Sequence, residues 1–279
     1  RVAARIPRTP DDATQMRRRL VSTLVALPIV ALALWAGGIW FAGLAALGAS
    51  LGTNEYLRAV YPRPLTVRAL AIGTSAALPL LAAIRSDGLA LAFVSVVVAS
   101  IVAWATHLRL ADNAAAEHGM GHLLAAVVLP SGGLATLAML RVGPDGLGWA
   151  SLVVLATVAN DATALFVGKL FGRRRLLPRV SPHKTWEGFA GGTAGSLLAI
   201  ALVHAILLPG LTALDVLVVL VITSVAGPLG DLSQSMVKRA HDLDDFGDLL
   251  PGHGGVLDRI DSLLFNAPLL LVWVGWLRP

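Results

Sequence analysis

The stretch GPLGDLSQSMVKRAHDLDDFGDLLPGHGGVLDRIDS, residues 227–262, is the segment from which the fold can be deduced. It lies between two apolar runs, residues 213–226 and 263–277. A charged side chain costs about 2.5 to 3.5 kcal/mol at the centre of a membrane helix, so charges beside such runs usually serve a function. The sequence therefore predicts two membrane helices joined by a functional segment.

The composition places the rest of the chain in the membrane as well. Of the 279 residues, 56% are hydrophobic and 14% are charged, and the mean hydropathy is +0.74. A water-soluble globule cannot bury so much apolar surface. The net charge of +5 does not indicate nucleic-acid binding, because the basic residues stand in loops between apolar runs, where they set membrane orientation. The absence of cysteine excludes a disulfide framework and a thiolate site.

Nine apolar runs have about the 20 residues that are needed to cross a bilayer. They are residues 20–38, 39–57, 67–84, 88–108, 119–140, 148–171, 188–208, 211–230 and 256–277. We therefore predict an all-α polytopic membrane protein with about nine transmembrane helices. Residues 1–19 would form a cytosolic arm, 20–145 a scaffold that also carries any dimer contacts, and 146–279 a catalytic domain.

The positive charges agree with this arrangement. If the N-terminus is cytosolic, all but three of the 22 lysines and arginines fall on the cytosolic side, as the positive-inside rule predicts. The exceptions are Arg85, Arg141 and Arg278. The two charged segments, 160–187 and 231–261, then both face the cytosol.

Two pairs of polar residues lie inside or at the end of predicted helices. Asn54 and Glu55 end the second run, where they either face the bundle interior or mark an interfacial helix end. Asn160 and Asp161 lie deeper, nearly two turns before Gly168. We therefore expect Asp161 to face an internal cavity.

The loop before the seventh run is a predicted anion site. Residues 172–184 hold five basic residues and His183, a composition that by itself sets topology or binds anionic headgroups. Ser181, Lys184 and Thr185 add hydroxyls and an ammonium directly before a helix N-terminus. This combination is typical of a site that binds an anion.

A stripe of polar residues follows the eighth run. If that helix continues to Arg239, then Asp231, Ser235 and Lys238 recur at i, i+4 and i+7 on one face. The alternative interpretation is an ordinary amphipathic helix end.

The glycine-rich turn PGHGG, residues 251–255, opens a helix whose first turns hold Asp258, Arg259 and Asp261. Its backbone N–H groups would suit a phosphate, and the nearby carboxylates would then require a divalent cation. Oxygen ligands without cysteine favour Mg²⁺. The alternative is that both aspartates only complement the helix dipole. His253 is either a general base or phosphate ligand, or a structural turn residue.

Four motifs resemble those of one enzyme family. They are NDATALFVGKLFG (160–172), SPHKTWEG (181–188), SMVKR (235–239) and LLPGHGGVLDRIDS (249–262). They are similar to motifs of the phosphatidate cytidylyltransferases, or CDP-diacylglycerol synthases. The resemblance implies transfer of a cytidylyl group from CTP to phosphatidic acid, on the cytosolic face of a bacterial inner membrane. It also implies Mg²⁺, with a second cation left open, and a homodimer.

The resemblance and the patterns above assign the site residues. The catalytic group would be Asp231, Asp258, Asp261, Lys238 and His253. The metal ligands would be Asp231, Asp258 and Asp161. The substrate-binding residues would be Asn160, Asp161, Ser181, Lys184, Thr185, Ser235, Arg239, Gly254, Gly255 and Arg259.

Two positions depart from the family pattern. The family usually has Glu where this chain has Gln234, and Lys-Asp where it has Asp244 and Asp245. The reversed charge at Asp244 would change the nucleotide preference, the lipid preference or the activity. The alternatives are a related CTP-dependent enzyme with another lipid acceptor, and a membrane transporter or lipid-binding protein with ion-relaying aspartates.

Overall fold

The computed structural model describes residues 26–61, 65–84, 94, 97, 101, 113–178, 180–250 and 254–278, without the side chains of 113–118 and Pro182. The predicted cytosolic arm 1–19, His253 and most of the run 88–108 lie outside these residues.

The N-terminal half contains four described helices. They are α1 (Ala26–Ala36), α2 (Gly38–Ala59), α3 (Leu65–Ile84) and α4 (Asn113–Val142). The helices α2, α3 and α4 pack against one another around small residues of α2, of which Ala42, Ala45 and Ala49 are buried. A buried hydroxyl joins all three, because Thr53 Oγ1 lies 2.6 Å from Ser75 Oγ and donates to the carbonyl of Ala126 at 2.7 Å.

Helices α5 (Gly146–Phe171) and α6 (Trp186–Ile206) form the most extensive helix–helix contact of the described fold. The sequence GFAGGTAGS in α6 predicts such packing, since small residues let two backbones approach. The structure confirms this, because a Cβ atom at Gly195 would lie 2.8 Å from the carbonyl oxygen of Ala159.

A short antiparallel hairpin connects α5 to α6 at the end that carries the charged segments. Its strands are β1 (Arg175–Leu177) and β2 (Ser181–Thr185). The Glu187 carboxylate fixes its base by accepting hydrogen bonds from the backbone N–H groups of Arg173 and Arg174, at 3.0 and 3.2 Å. The all-helical prediction did not include this hairpin.

The last two long helices contain wide turns. Helix α7 (Ala213–Val221) continues through a π-helical segment (Ile222–Ala226) into α8 (Gly227–Ala240). Pro228 in the first turn of α8 has no N–H to donate, and the wide turn precedes it directly. Helix α9 (Leu257–Val272) ends in a second π-helical segment, Trp273–Leu277. Since α8 extends to Ala240, the predicted continuation of the eighth run to Arg239 is confirmed.

Within the described ranges, six helices are long and apolar enough to cross a membrane. They are Leu65–Ile84, Gly119–Val142, Gly146–Phe171, Trp186–Ile206, Ala213–Ala240 and Leu257–Leu277. The mainly helical, polytopic membrane architecture is therefore confirmed, whereas the predicted count of nine is not. Of the other three runs, 20–38 is described only as Ala26–Ala36, 39–57 corresponds to α2, and 88–108 lies mostly outside the description.

A buried carboxylate stabilises the opposite end of the bundle from the charged segments. Asp215 is fully buried and forms a capping box with Thr212 at the start of α7. It also accepts hydrogen bonds from Trp273 Nε1 at 2.9 Å and Arg278 Nε at 3.0 Å. The Arg278 guanidinium in turn lies 4.9 Å from the ring centre of Trp149, so this cluster joins three helices.

Candidate functional site

The predicted polar stripe lies on one side of α8 and contacts the hairpin. Ser235 Oγ donates to Asp231 Oδ1 at 3.4 Å, one turn apart. Asp231 Oδ2 lies 2.6 Å from Lys184 Nζ of β2, and the same ammonium donates to the carbonyl of Pro228 at 3.3 Å. The two charged segments singled out in the sequence therefore meet at this ion pair.

Asp258 organises the loop that precedes α9. Its Oδ1 lies 2.7 Å from Lys238 Nζ, while its Oδ2 accepts hydrogen bonds from the N–H groups of Phe246 and Gly255, at 2.9 and 3.1 Å. The side chain is 1% exposed, and Lys238 also lies 5.5 Å from the Phe246 ring centre. Both oxygens of Asp258 are thus engaged within the chain.

Three other carboxylates converge from three helices. Asp161 comes from α5, Asp231 from α8 and Asp261 from α9, and Asp161 and Asp231 both lie within electrostatic range of Asp261. The Asp161 side chain is exposed, and its Oδ1 accepts a hydrogen bond from Ser262 Oγ at 3.4 Å. Asp261, which is 8% exposed, accepts one from the Ser262 N–H at 2.7 Å. The structure thus brings the predicted Asp161 together with the second charged segment.

This cluster concentrates negative charge beside two lysines. Lys184 and Arg259 both lie within electrostatic range of Asp161, and Lys238 lies within that range of Asp261. Carboxylate oxygens of this kind are the ligands that hard divalent cations prefer. Among the described residues, however, no three acidic, histidine or cysteine side chains are already arranged to hold a metal ion. The donor chemistry fits such a cation, and binding one would require the side chains to draw together.

Glu55 of α2 is a site residue whose role the sequence left open. It is 7% exposed, and its two oxygens accept hydrogen bonds from the N–H groups of Val256 and Leu257, each at 2.9 Å. It therefore faces the interior rather than an interfacial helix end. The only sequence signal was a carboxylate at the end of an otherwise apolar run.

These contacts change the interpretation of the glycine-rich turn. The N–H groups of Gly255, Val256 and Leu257 donate to Asp258 and Glu55, so they are not free for a phosphate. Gly254 has φ +78°, and a Cβ atom there would lie 2.8 Å from Asp245 Cγ.

Three predicted substrate-binding residues make contacts within and between the elements around the site. Asn160 is buried and donates from Nδ2 to Ser196 Oγ at 3.1 Å, between α5 and α6. Thr185 caps α6 by accepting a hydrogen bond from the Gly188 N–H at 3.0 Å. Ser181 pairs with Leu177 in the hairpin.

Two further predicted residues, Arg239 and Arg259, are exposed at the protein surface. Arg239 forms a 3.2 Å ion pair with Asp244, whose side chain is 94% exposed. The negative charge at Asp244, where the family usually has lysine, thus pairs with the Arg239 guanidinium. Arg259 is exposed and lies within electrostatic range of Asp161.

Gln234, the other departure from the family pattern, is buried, and its Oε1 has no hydrogen-bond partner among the described atoms.

Comparison with known proteins adds an independent finding. Residues 17–277 match the sequence profile of a family described as the cytidylyltransferase family. A segment of 122 residues is 43% identical to phosphatidate cytidylyltransferase of Bacillus subtilis and covers 44% of each chain. A segment of 144 residues is 44% identical to that of Brucella abortus and covers 50% of this chain and 51% of the relative. With the protein of that name from Mycobacterium tuberculosis the identity is 39% over 137 residues, which cover 49% of this chain and 41% of the relative. The matched segments thus span about half of these relatives or less.

Proposed function

Because the chain belongs to the cytidylyltransferase family, we propose that it transfers a cytidylyl group from CTP to phosphatidic acid, giving CDP-diacylglycerol and pyrophosphate. The observation that carries the proposal is the convergence of Asp161, Asp231 and Asp261 with Lys184 and Lys238 at one end of apolar helices. A triphosphate needs compensating cations, and a lipid acceptor needs a site at the membrane surface. The names of the bacterial relatives support the same reaction.

The proposed cation is Mg²⁺, which would supply positive charge to stabilise the CTP phosphates and the negative charge that develops during transfer. We propose Asp231, Asp161 and Asp258 as its ligands. We add Asp261, because Asp161 and Asp231 both lie within electrostatic range of its carboxyl group. Asp258 becomes available only when Lys238 leaves its Oδ1, to which the ammonium is now bound at 2.7 Å. The released ammonium would then neutralise a phosphate of CTP.

Positioning supplies most of the catalysis in this reaction class. A phosphate oxygen of phosphatidic acid forms a bond to the α-phosphorus, while the bond between the α- and β-phosphates breaks and pyrophosphate leaves with its electron pair. Lys184 and Lys238 would stabilise the negative charge of the triphosphate. His253, whose position is not described, stays a predicted member of the site.

The site is proposed to face the cytosol at a bacterial inner membrane. The bias of the basic residues supports this orientation, and the bacterial origin of the relatives supports the inner membrane. We also propose that residues 146–279 form the catalytic domain and 20–145 the scaffold. Homodimerisation stays a prediction from the family resemblance.

The direct test is a transfer assay with purified protein in phospholipid micelles. CTP labelled at the α-phosphorus is supplied with phosphatidic acid, with Mg²⁺ or with excess EDTA, and labelled lipid is separated by chromatography. We expect Mg²⁺-dependent label in a liponucleotide, and CTP preferred over UTP and ATP. Label in no lipid, with phosphatidic acid or with any other phospholipid acceptor, would refute the proposal. Label only in another lipid would identify the related enzyme with a different acceptor.

A further inference from the structure

We propose that Glu55 is a positioning residue that fixes the described loop residues 241–250 and 254–256, here called the signature loop, in the geometry that CTP binding requires. This inference rests on the proposed function, and it assigns part of the site to α2, outside the predicted catalytic domain. Glu55 would act through Asp258 and Lys238, without touching substrate.

The first observation is the bidentate contact itself. The two oxygens of Glu55 bind two successive backbone N–H groups, those of Val256 and Leu257, across 201 and 202 positions of sequence. At a helix N-terminus a carboxylate is favoured by the helix dipole and satisfies N–H groups that have no partner within the helix. The N–H groups at the start of α9 thus stabilise the buried carboxylate of Glu55.

The second observation is how closely the signature loop surrounds the carboxylate. A Cβ atom at Gly247 would lie 2.9 Å from Glu55 Cδ and Oε1, and one at Gly255 would overlap Oε2. Neither glycine has positive φ, so close approach to Glu55 is what excludes a side chain there. The loop contacts Glu55 at two points that are eight residues apart.

The third observation connects this contact to the site. Gly255 donates its N–H to Asp258, and the next two N–H groups along the chain donate to Glu55. The two carboxylates therefore hold three successive N–H groups of the same turn. Asp258 also binds Lys238, so a shift of this turn would move the ammonium that we place near the triphosphate.

The competing explanation is that Glu55 is only a stabilising cap. Asp215 provides the matched control, because it is also a buried, helix-capping carboxylate, but it lies at the opposite end of the bundle. The experiment compares Glu55→Gln with Asp215→Asn in the purified full chain, below the unfolding temperature of both. Thermal unfolding, kcat, the KM for CTP and the Kd of CTP measured by calorimetry without lipid acceptor are recorded for each.

We expect both variants to unfold at a lower temperature. Glu55→Gln should raise the KM and Kd for CTP by about tenfold or more, as loss of an outer-shell partner typically does. Asp215→Asn should leave both constants within about twofold. Hydrogen exchange of the amides at 246 and 255–257 should accelerate in Glu55→Gln and stay unchanged in Asp215→Asn.

Equal CTP constants and equal exchange in the two variants would overturn the positioning role. If Glu55→Gln does not fold, Glu55→Asp replaces it, since it keeps the charge but is one methylene too short to reach both N–H groups. Failure of the proposed function appears differently, as an absence of transfer by the unaltered chain. The exchange measurement then still tests whether Glu55 holds the loop.

Discussion

Lys184 and Asp231 form a 2.6 Å ion pair that joins the β-hairpin to α8. The two residues come from the two segments that carry the family-like motifs, 47 positions apart in the sequence. Both side chains are partly exposed, at 25% and 33%, so ligands can reach them. An exposed pair of this kind adds little to stability, about 0 to 1 kcal/mol, which leaves its charges available for function.

The first prediction concerns the carboxylate of this pair. Asp231→Asn should lower the transfer rate by more than about 100-fold, because even residues outside a metal's ligand shell cost about 10- to 100-fold. The thermal unfolding temperature should stay close to that of the unaltered chain. Asp145→Asn is the control, since Asp145 is exposed at the far end of α5 and has φ 52°, which asparagine tolerates. Normal transfer by Asp231→Asn would refute the metal-ligand proposal.

The second prediction concerns the ammonium of the pair. Lys184→Gln should raise the KM for CTP by about tenfold or more, since a positive charge near the triphosphate is lost and Asp231 keeps its full charge. Lys169→Gln removes an exposed lysine at the end of α5 and should leave the KM within about twofold. Steady-state rates over a range of CTP concentrations distinguish the two variants. An unchanged KM in Lys184→Gln would exclude Lys184 from nucleotide binding.

The features that could be predicted from the sequence were those that depend on residues close together in the chain. The i, i+4, i+7 stripe of Asp231, Ser235 and Lys238 is a local pattern on a helix, and the continuous α8 confirms the helix on which it was predicted. The hairpin was not predicted, since its strands are short and the basic loop shows no regular alternation of apolar residues.

Contacts between distant segments of the chain could not be predicted from the sequence. Glu55 and Val256 are 201 positions apart, and nothing in either segment specifies the other. Asp258 was expected to bind metal, but the sequence could not reveal that its two oxygens hold Lys238 and the loop backbone. Such pairings follow from how the helices pack in three dimensions.

The third prediction tests the departure from the family pattern at Asp244. Asp244→Asn releases the Arg239 guanidinium from its 3.2 Å ion pair, so we expect the KM for CTP to fall by about two- to fivefold at low salt. Asp242→Asn is matched, because it removes the same charge from an exposed residue with φ 52° but does not release Arg239. Equal effects of the two variants would show that only net charge matters.

The last prediction concerns the packing of α5 against α6, which holds Asp161 opposite the other carboxylates. Gly195→Ala should destabilise the protein by about 1 to 3 kcal/mol, because its Cβ atom would lie 2.8 Å from the backbone carbonyl of Ala159, which cannot move without shifting α5. Gly43→Ala in α2 is the control, since a Cβ atom there meets no described atom within 4 Å. It should be neutral or stabilising by up to about 1 kcal/mol, as alanine is the better helix former. Thermal unfolding in detergent measures both, and equal unfolding temperatures for the two variants would show that α5 and α6 tolerate wider separation. Because the shift also moves Asp161, Gly195→Ala should lose transfer activity below its unfolding temperature, whereas Gly43→Ala should keep it.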